Sequence, residues 1–236
     1  MSQPKQAAIL CGGLGTRLRP LTNHTPKPMV HVRGRPFLSY LLTQVREAGI
    51  RKVLLLTGYL GEQIKAYFGA GENQGLDISY SHGPSNWDTG RRLWEARTQL
   101  DREFILLYSD NFAKFDLARL VKHHDLSRRP ITLHLAYKER GNIRIGTHGH
   151  IEAYDPSRND RNLNYVEIGY MLIDRDAVLN SFPDCVGFPD FNFSKILESY
   201  SASGMLTGVI IEGNYYSISD VQRLEQLEEH LGKLEI

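Results

Sequence analysis

The sequence predicts an α/β fold on a mostly parallel central sheet, and three observations carry that prediction. Unbroken apolar runs recur at residues 7–11, 53–57 and 104–108, and strands without a polar face suit a parallel sheet covered on both sides. Segments of helical periodicity separate these runs, the alternation that right-handed strand–helix–strand crossovers produce. Finally, Gly12-Gly13 follows the first run and Ser109-Asp110-Asn111 the third. Both fall at the carboxyl ends of strands, where such sheets bind ligands.

Taken in order, the strand over 7–11 runs into the glycine-rich stretch from Gly12 to Arg19. Pro36 opens a helix, Phe37, Tyr40, Leu41, Val45 and Ala48 keep helical spacing, and Gly49 closes it. A short helix over 61–68, a strand over 77–81 and a helix over 90–100 follow the strand over 53–57. Beyond the strand over 104–108 the pattern predicts a helix over 116–125 and a strand over 131–137. Gly, Asn and Pro then divide the chain into several short strands as far as Ile173. Helices over 193–199 and 220–234 come last, with strands over 205–212 and 215–218 between them. No repeat, linker or low-complexity tract interrupts the sequence, so residues 1–236 read as a single domain.

Composition removes several function classes. The 28 Lys plus Arg nearly balance the 27 Asp plus Glu, a net charge of +1. Such a balance gives no reason to expect a nucleic-acid surface, although a local phosphate pocket remains compatible. Cys11 and Cys185 are too few for a disulfide framework and fit a reducing compartment. No leader-like start and no run near about 18 apolar residues occurs, so a cytoplasmic protein without a membrane partner is expected.

The first chemical constellation is the loop after the first strand. Gly12-Gly13-Leu14-Gly15 gives backbone N–H groups room to approach phosphate oxygens, because no Cβ stands in the way. Arg17 and Arg19 add charge, and Lys27 adds more between Pro26 and Pro28, which stiffen it. The spacing is neither that of a P-loop nor that of a dinucleotide fold.

The run Ile9-Leu10-Cys11-Gly12-Gly13-Leu14-Gly15-Thr16-Arg17-Leu18-Arg19-Pro20-Leu21-Thr22, followed by Thr25-Pro26-Lys27-Pro28-Met29, resembles the signature of the sugar-1-phosphate nucleotidyltransferases. Gly34-Arg35-Pro36-Phe37 and Gly58-Tyr59 continue the likeness. The resemblance implies a Rossmann-like three-layer fold, Mg²⁺ dependence, and in-line attack of a sugar 1-phosphate on the α-phosphorus of a nucleoside triphosphate. It implies that Leu10, Gly12, Gly13, Gly15 and Thr16 bind nucleotide. Arg17 would hold the triphosphate and Lys27 the phosphates where charge develops, roles that suit a reaction governed by positioning and charge neutralisation.

A second constellation is two separated carboxylates. Asp110 ends an apolar strand and could simply stabilise its turn. Asp220 precedes a helix whose Val221, Leu224, Leu227 and Leu231 share a face. Its plainer role lies in the first turn of that helix, with Ser219 and Gln222 as a capping box. Mg²⁺ needs few protein carboxylates, and the resemblance implies that these two supply them.

The likeness breaks in two places. Where many relatives carry Leu-Gly-Thr-Gly-Gly, this chain has Trp87-Asp88-Thr89-Gly90-Arg91-Arg92. Asp88, Thr89 and Gly90 are still expected to meet the base, but the paired arginines resemble a cytidylyltransferase branch. The opening motifs resemble heptose-1-phosphate guanylyltransferases instead, and the reading leans to GTP. Glu-Lys-Pro before the sugar-binding strands is also missing; residues 151–158 hold no lysine, leaving Arg158 or Lys195 as substitutes. The resemblance places Gly146 and Glu167 at the sugar. Glu167 interrupts an apolar strand, and period-2 alternation equally allows it a solvent face.

His123-His124 and His148-x-His150 lack the cysteine or carboxylate framework of a metal site and read as solvated. Cys11 reads as a small buried residue. The expected activity is therefore transfer of a nucleoside monophosphate to a sugar 1-phosphate, with GTP and a heptose 1-phosphate favoured over a cytidylyl or thymidylyl reaction. A glycosyltransferase would need an Asp-x-Asp motif, which Ser109-Asp110-Asn111 does not supply. A non-catalytic sugar-nucleotide sensor would have little use for Arg17, Lys27, Asp110 and Asp220 together. The oligomeric state, a homo-oligomer included, stays undecided.

Overall fold

The computed structural model describes residues 3–179, 182 and 191–234; Cys185 lies outside them. Strand β1 (Gln6–Cys11) leads to the short hairpin β2 (His31–Val32) and β3 (Arg35–Pro36), then α1 (Phe37–Glu47), β4 (Lys52–Thr57), α2 (Gly61–Phe68) and β5 (Asp77–His82). Next come α3 (Thr89–Glu95), β6 (Glu103–Tyr108), β7 (Asn111–Ala113), α4 (Leu117–Ser127) and β8 (Ile131–Tyr137). The remaining elements are β9 (Ile143–Ile145), β10 (Ile151–Tyr154), β11 (Tyr165–Asp174), α5 (Arg175–Leu179), α6 (Phe193–Ala202), β12 (Leu206–Ile210), β13 (Tyr215–Ser217) and α7 (Val221–Leu234).

The central sheet runs β10-β9-β11-β6-β1-β4-β5, with β8 beside β11 and β12 beside β8. Strands β4, β1 and β6 are parallel and level, Leu10 pairing with Leu56 on one side and Tyr108 on the other. All six β1 residues are buried, and period 2 sends them to opposite faces. Ala7, Ile9 and Cys11 join Phe37, Leu41, Ile64 and Leu227, while Ala8 and Leu10 join Leu93, Ala96, Phe193 and Leu197. Helices thus cover both faces, the three-layer arrangement expected. Burying each such aliphatic side chain stabilises the fold by about 1.5–3 kcal/mol. The level ends of β1, β4 and β6 open the loops at Gly12, Gly58 and Ser109 on one edge.

The second half departs from the sequence expectation. Strand β11 is one ten-residue strand, antiparallel to both β6 and β8, so the sheet is mixed with a parallel centre. The expected strand over 215–218 leaves this sheet: β13 pairs with β7, a strand that alternation in three residues could not announce. Helix α3 stops at Glu95 and its last turn, Arg97–Gln99, is 3-10. Helix α6 runs past residue 199 to Ala202, and α5 is too short for periodicity to announce it. No helix among the described residues is long and apolar enough to cross a membrane.

Candidate active site

A cleft of about 300 Å³ opens where β1 and β6 end. Leu10, Gly12, Gly13, Gly15, Thr16, Arg17, Lys27 and Pro28 form one wall, and Trp87, Asp88, Thr89 and Arg92 the roof. Tyr108, Ser109, Asp110 and Ser219 close the far side. The predicted nucleotide residues, Gly90 excepted, and Arg17, Lys27 and Asp110 thus converge on one space.

The glycines of the loop do different things. Gly15 sits at φ +63, a conformation that favours glycine. Its carbonyl accepts the Thr22 hydroxyl at 2.9 Å, and the Lys27 Cβ stands 3.0 Å from where a methyl group would be. Gly13 faces open space, with no described atom within 4 Å of the place a methyl group would take. Gly12 lines the cleft and has a further task. A methyl group there would overlap the Arg92 guanidinium, so its missing side chain makes room for protein. Gly90 is likewise buried against Phe191, whose carbonyl accepts the Gly90 N–H at 3.0 Å.

Lys27 and Asp110 meet inside the cleft, Nζ to Oδ2 at 2.8 Å, with their side chains 14% and 30% exposed. The distance joins motifs 83 residues apart in the chain. Asp110 stands at the head of β7, and its carbonyl accepts the Ile218 N–H at 2.9 Å. Ser217 pairs with Asn111, so Asp110 lies just before β7 and Asp220 three residues past the end of β13, on the same end of that ribbon; Asp220 does not line the cleft. Asp220 itself caps α7, accepting the Arg223 N–H at 3.0 Å, in place of the Ser219–Gln222 box. That N–H first, then the Ser219 hydroxyl and the Arg223 and Arg17 charges, hold its carboxyl below the usual range.

Two carboxylates at one end of the β7–β13 ribbon, Asp110 lining the cleft and Asp220 within reach of the Arg17 charge, offer the hard oxygen donors that Mg²⁺ selects. Each carboxylate oxygen has a second lone-pair direction besides its present bond, so the donor set fits that ion. Among the described residues, no group of three or more His, Cys, Asp or Glu could hold a metal alone, and water and phosphate oxygens would complete the shell.

Glu167 stands half-buried on β11; it does not itself line the cleft, but Asp110 and Tyr108, which do, lie within its electrostatic reach. Gly169, at φ +72 and too close to Tyr108 for any side chain, donates its N–H to Glu167 Oε2 at 2.9 Å. Burial first, with the Asp110 charge, pushes Glu167 up to about 7 against the pull of that N–H and of Arg158. Tyr108, which lines the cleft, is raised well above its ordinary value by burial and by Glu167. Of the two lysine substitutes, the Arg158 charge reaches both Glu167 and Tyr154. Lys195 is exposed on α6 and does not line the cleft. Gly146 lines a separate concavity with Arg119, His123 and Gly208, and Glu152 fills its side-chain space.

Asp88 caps α3 through Thr89 N–H at 2.8 Å and accepts from Asn192 Nδ2 at 3.0 Å. Arg91 pairs with Glu95 at 2.6 Å and lies 5.2 Å above Trp87. Sequence reasoning gave no site role to Tyr108, Ser109 or Ser219, and placed Arg92 only within the Trp87–Arg92 segment expected at the base. Only Arg92 left a signal: it precedes Leu93 and lies one turn before Ala96, on the inward face of α3. His123 and His124 are hydrogen-bonded to Thr207 and Thr132 at 2.7 Å rather than solvated. Cys11 is buried, and burial pushes its thiol up to about 12, leaving it unreactive.

A family model described as nucleotidyl transferase matches residues 6–156. The mannose-1-phosphate guanylyltransferase of Mycobacterium tuberculosis is 34% identical over 162 residues, 68% of this chain and 43% of that protein. The D-glycero-α-D-manno-heptose 1-phosphate guanylyltransferase of Campylobacter jejuni is 38% identical over 115 residues, 49% of this chain and 52% of that one. The chain thus spans about half the length of these curated relatives. A solved UDP-glucose pyrophosphorylase bound to UDP-glucose superposes with a TM-score of 0.80 over 98% of this chain and 99% of that chain, at 16% identity. That likeness establishes the fold.

Proposed function

The chain belongs to the nucleotidyl transferase family, and from that premise we propose that it transfers a nucleoside monophosphate from a nucleoside triphosphate to a sugar 1-phosphate, releasing pyrophosphate. The observation that carries the reading is the Lys27–Asp110 contact at 2.8 Å, set in a cleft that also holds the glycine-rich loop and Arg17. A cation and a carboxylate at one point serve a reaction in which phosphate charge must be gathered and metal-bound phosphate positioned.

In this reading the Gly13 and Gly15 backbone cradles the triphosphate. Arg17 neutralises the β- and γ-phosphates and the pyrophosphate that leaves. Lys27 exchanges its Asp110 contact for an α-phosphate oxygen, which frees Asp110 for the metal. Asp110 and Asp220 would hold Mg²⁺, which supplies Lewis-acid charge at the phosphates when bound. Glu167 accepts hydrogen bonds from sugar hydroxyls, and Arg158 meets the sugar's phosphate. Leu10 and Gly12 backbone groups, with the Trp87–Arg91 pair, meet the base.

The guanylyltransferase relatives support GTP as the nucleotide, and the heptose enzyme among them supports a heptose 1-phosphate. Purified protein incubated with GTP, CTP, UTP or dTTP against a panel of sugar 1-phosphates, scored by Mg²⁺-dependent pyrophosphate release, tests this. Turnover with GTP and a heptose 1-phosphate is expected. Turnover only with CTP or dTTP would move the chain to another branch, and binding without pyrophosphate release would leave a sensor.

A further inference from the structure

We propose that Arg92 is the positioning residue of the glycine-rich loop: by holding the Gly12 carbonyl it aims the Gly13 N–H into the cleft, and so sets nucleotide affinity. This rests on the nucleotide role proposed above for that cleft.

Arg92 is only 5% exposed, and its planar fork ties three loops together. Nη1 donates to the Thr57 carbonyl at 2.7 Å, while Nη2 donates to Gly12 at 3.2 Å and to Pro84 at 2.7 Å. Those carbonyls belong to the chain leaving β1, β4 and β5. A lysine ammonium, a single point on a flexible stem, cannot reproduce that span. The surroundings are cut to fit: a methyl group at Gly12 or at Gly58 would overlap the guanidinium. Gly12 after β1 and Gly58 after β4 thus both leave room for Arg92.

The link to ligand runs through one peptide plane. The Gly12 carbonyl accepts from Arg92 and also from the Tyr59 N–H at 3.2 Å, so two donors fix its direction. In a planar trans peptide the following N–H points the opposite way. The Gly13 N–H thus faces away from Arg92, and Gly13 is the loop glycine with open space beside it. Such a preset N–H is an anion donor whose alignment needs no reorganisation when phosphate arrives. Losing Arg92 frees the peptide to rotate and removes the donor.

A double-mutant cycle tests this with Gly12→Ala, Arg92→Ala, the double variant and Arg92→Lys. The first readout is equilibrium binding of Mg²⁺-GTP by calorimetry, which needs no turnover. The second is the pair of KM values for the nucleotide and sugar phosphate that the wild type turns over. Each single variant, Arg92→Lys included, is expected to weaken GTP binding about tenfold. The sugar-phosphate KM should stay within about twofold, and the double variant should be no weaker than the worse single one, because the methyl fits once the guanidinium is gone. Independent losses multiplying to about 100-fold, or normal binding by Arg92→Lys, or a matching rise in the sugar-phosphate KM, would overturn the proposal. If Arg92→Ala does not fold, Arg92→Gln with Gly12→Ala carries the same cycle. A wild type that binds GTP but turns over no substrate pair removes the transferase reading and leaves the binding cycle readable.

Discussion

From Leu10 to Lys27 the glycine-rich wall of the cleft is one stretch of chain, whereas the surroundings of Glu167 are assembled from distant pieces. In the first, β1 delivers the loop directly, and Gly13, Thr16, Arg17 and Lys27 follow one another into the cleft. In the second, β11 is inserted antiparallel against β6, and this brings Glu167 within the field of Asp110, Tyr108 and Arg158. Gly169 completes those surroundings by letting Tyr108 approach closely and by pinning the Glu167 carboxylate. The contrast teaches that a wall built by one loop can be altered residue by residue, while surroundings built by strand pairing couple chemistry to fold. The following outcomes test that division.

The largest effects should fall on the single-loop wall. Arg17→Ala is expected to lower kcat and kcat/KM together by about 10³-fold. Arg19→Ala, outside the cleft lining, should change either constant by about twofold at most. Steady-state pyrophosphate release measures both, and equal mild losses would reduce the loop to diffuse charge.

Asp110→Asn should lower kcat by about 10²-fold at saturating Mg²⁺ with unchanged circular dichroism. Asp220→Asn separates two roles. A cap of α7 alone predicts a lower melting temperature with normal turnover, whereas a metal ligand predicts lost turnover and a raised Mg²⁺ requirement. Normal turnover in both variants would remove the metal assignment.

Glu167→Gln should raise the sugar-phosphate KM about tenfold and leave the nucleotide KM unchanged. Its carboxyl, pushed up to about 7, gives the test a pH axis. Wild-type sugar-phosphate KM should rise as pH falls through 7 and the acceptor is protonated, and the variant should lack that slope. Stability runs in the opposite sense. The folded pKa lies above the unfolded one, so this contribution is complete below the ordinary glutamate value and disappears as pH rises through about 7. Glu167→Gln should therefore melt higher than wild type at pH 8 and show no such advantage at pH 4; the reverse order would place Glu167 in a site that favours its charge.

The smallest effects compare the two lysine substitutes. Arg158→Ala should raise the sugar-phosphate KM about threefold, and Lys195→Ala should leave it within about 1.5-fold, as for an exposed charge. A larger effect at Lys195 would extend the far wall to α6.

Much of the parallel half was legible because its signals are local. Unbroken apolar runs marked β1, β4 and β6, and Gly12-Gly13, Gly58 and the polar Ser109-Asp110-Asn111 marked where each strand gave way to a loop. The motif from Leu10 to Lys27 was legible for the same reason: its glycines, prolines and cations stand at close spacing in one stretch of chain. The sequence by itself therefore determined the α/β class, the position of the loop at a strand's carboxyl end and the cationic groups beside it. Tertiary structure alone decided the rest. That β11 runs antiparallel beside β6 depends on pairing between segments about sixty residues apart, which period-2 alternation does not encode. That β13 leaves the sheet to join β7, with Ile218 donating to the Asp110 carbonyl, depends on a three-residue ladder. That Gly12 also makes room for Arg92 became visible only when the guanidinium was seen to occupy its side-chain space. Local patterns record what each residue can do, but contacts between distant segments decide which neighbour receives it.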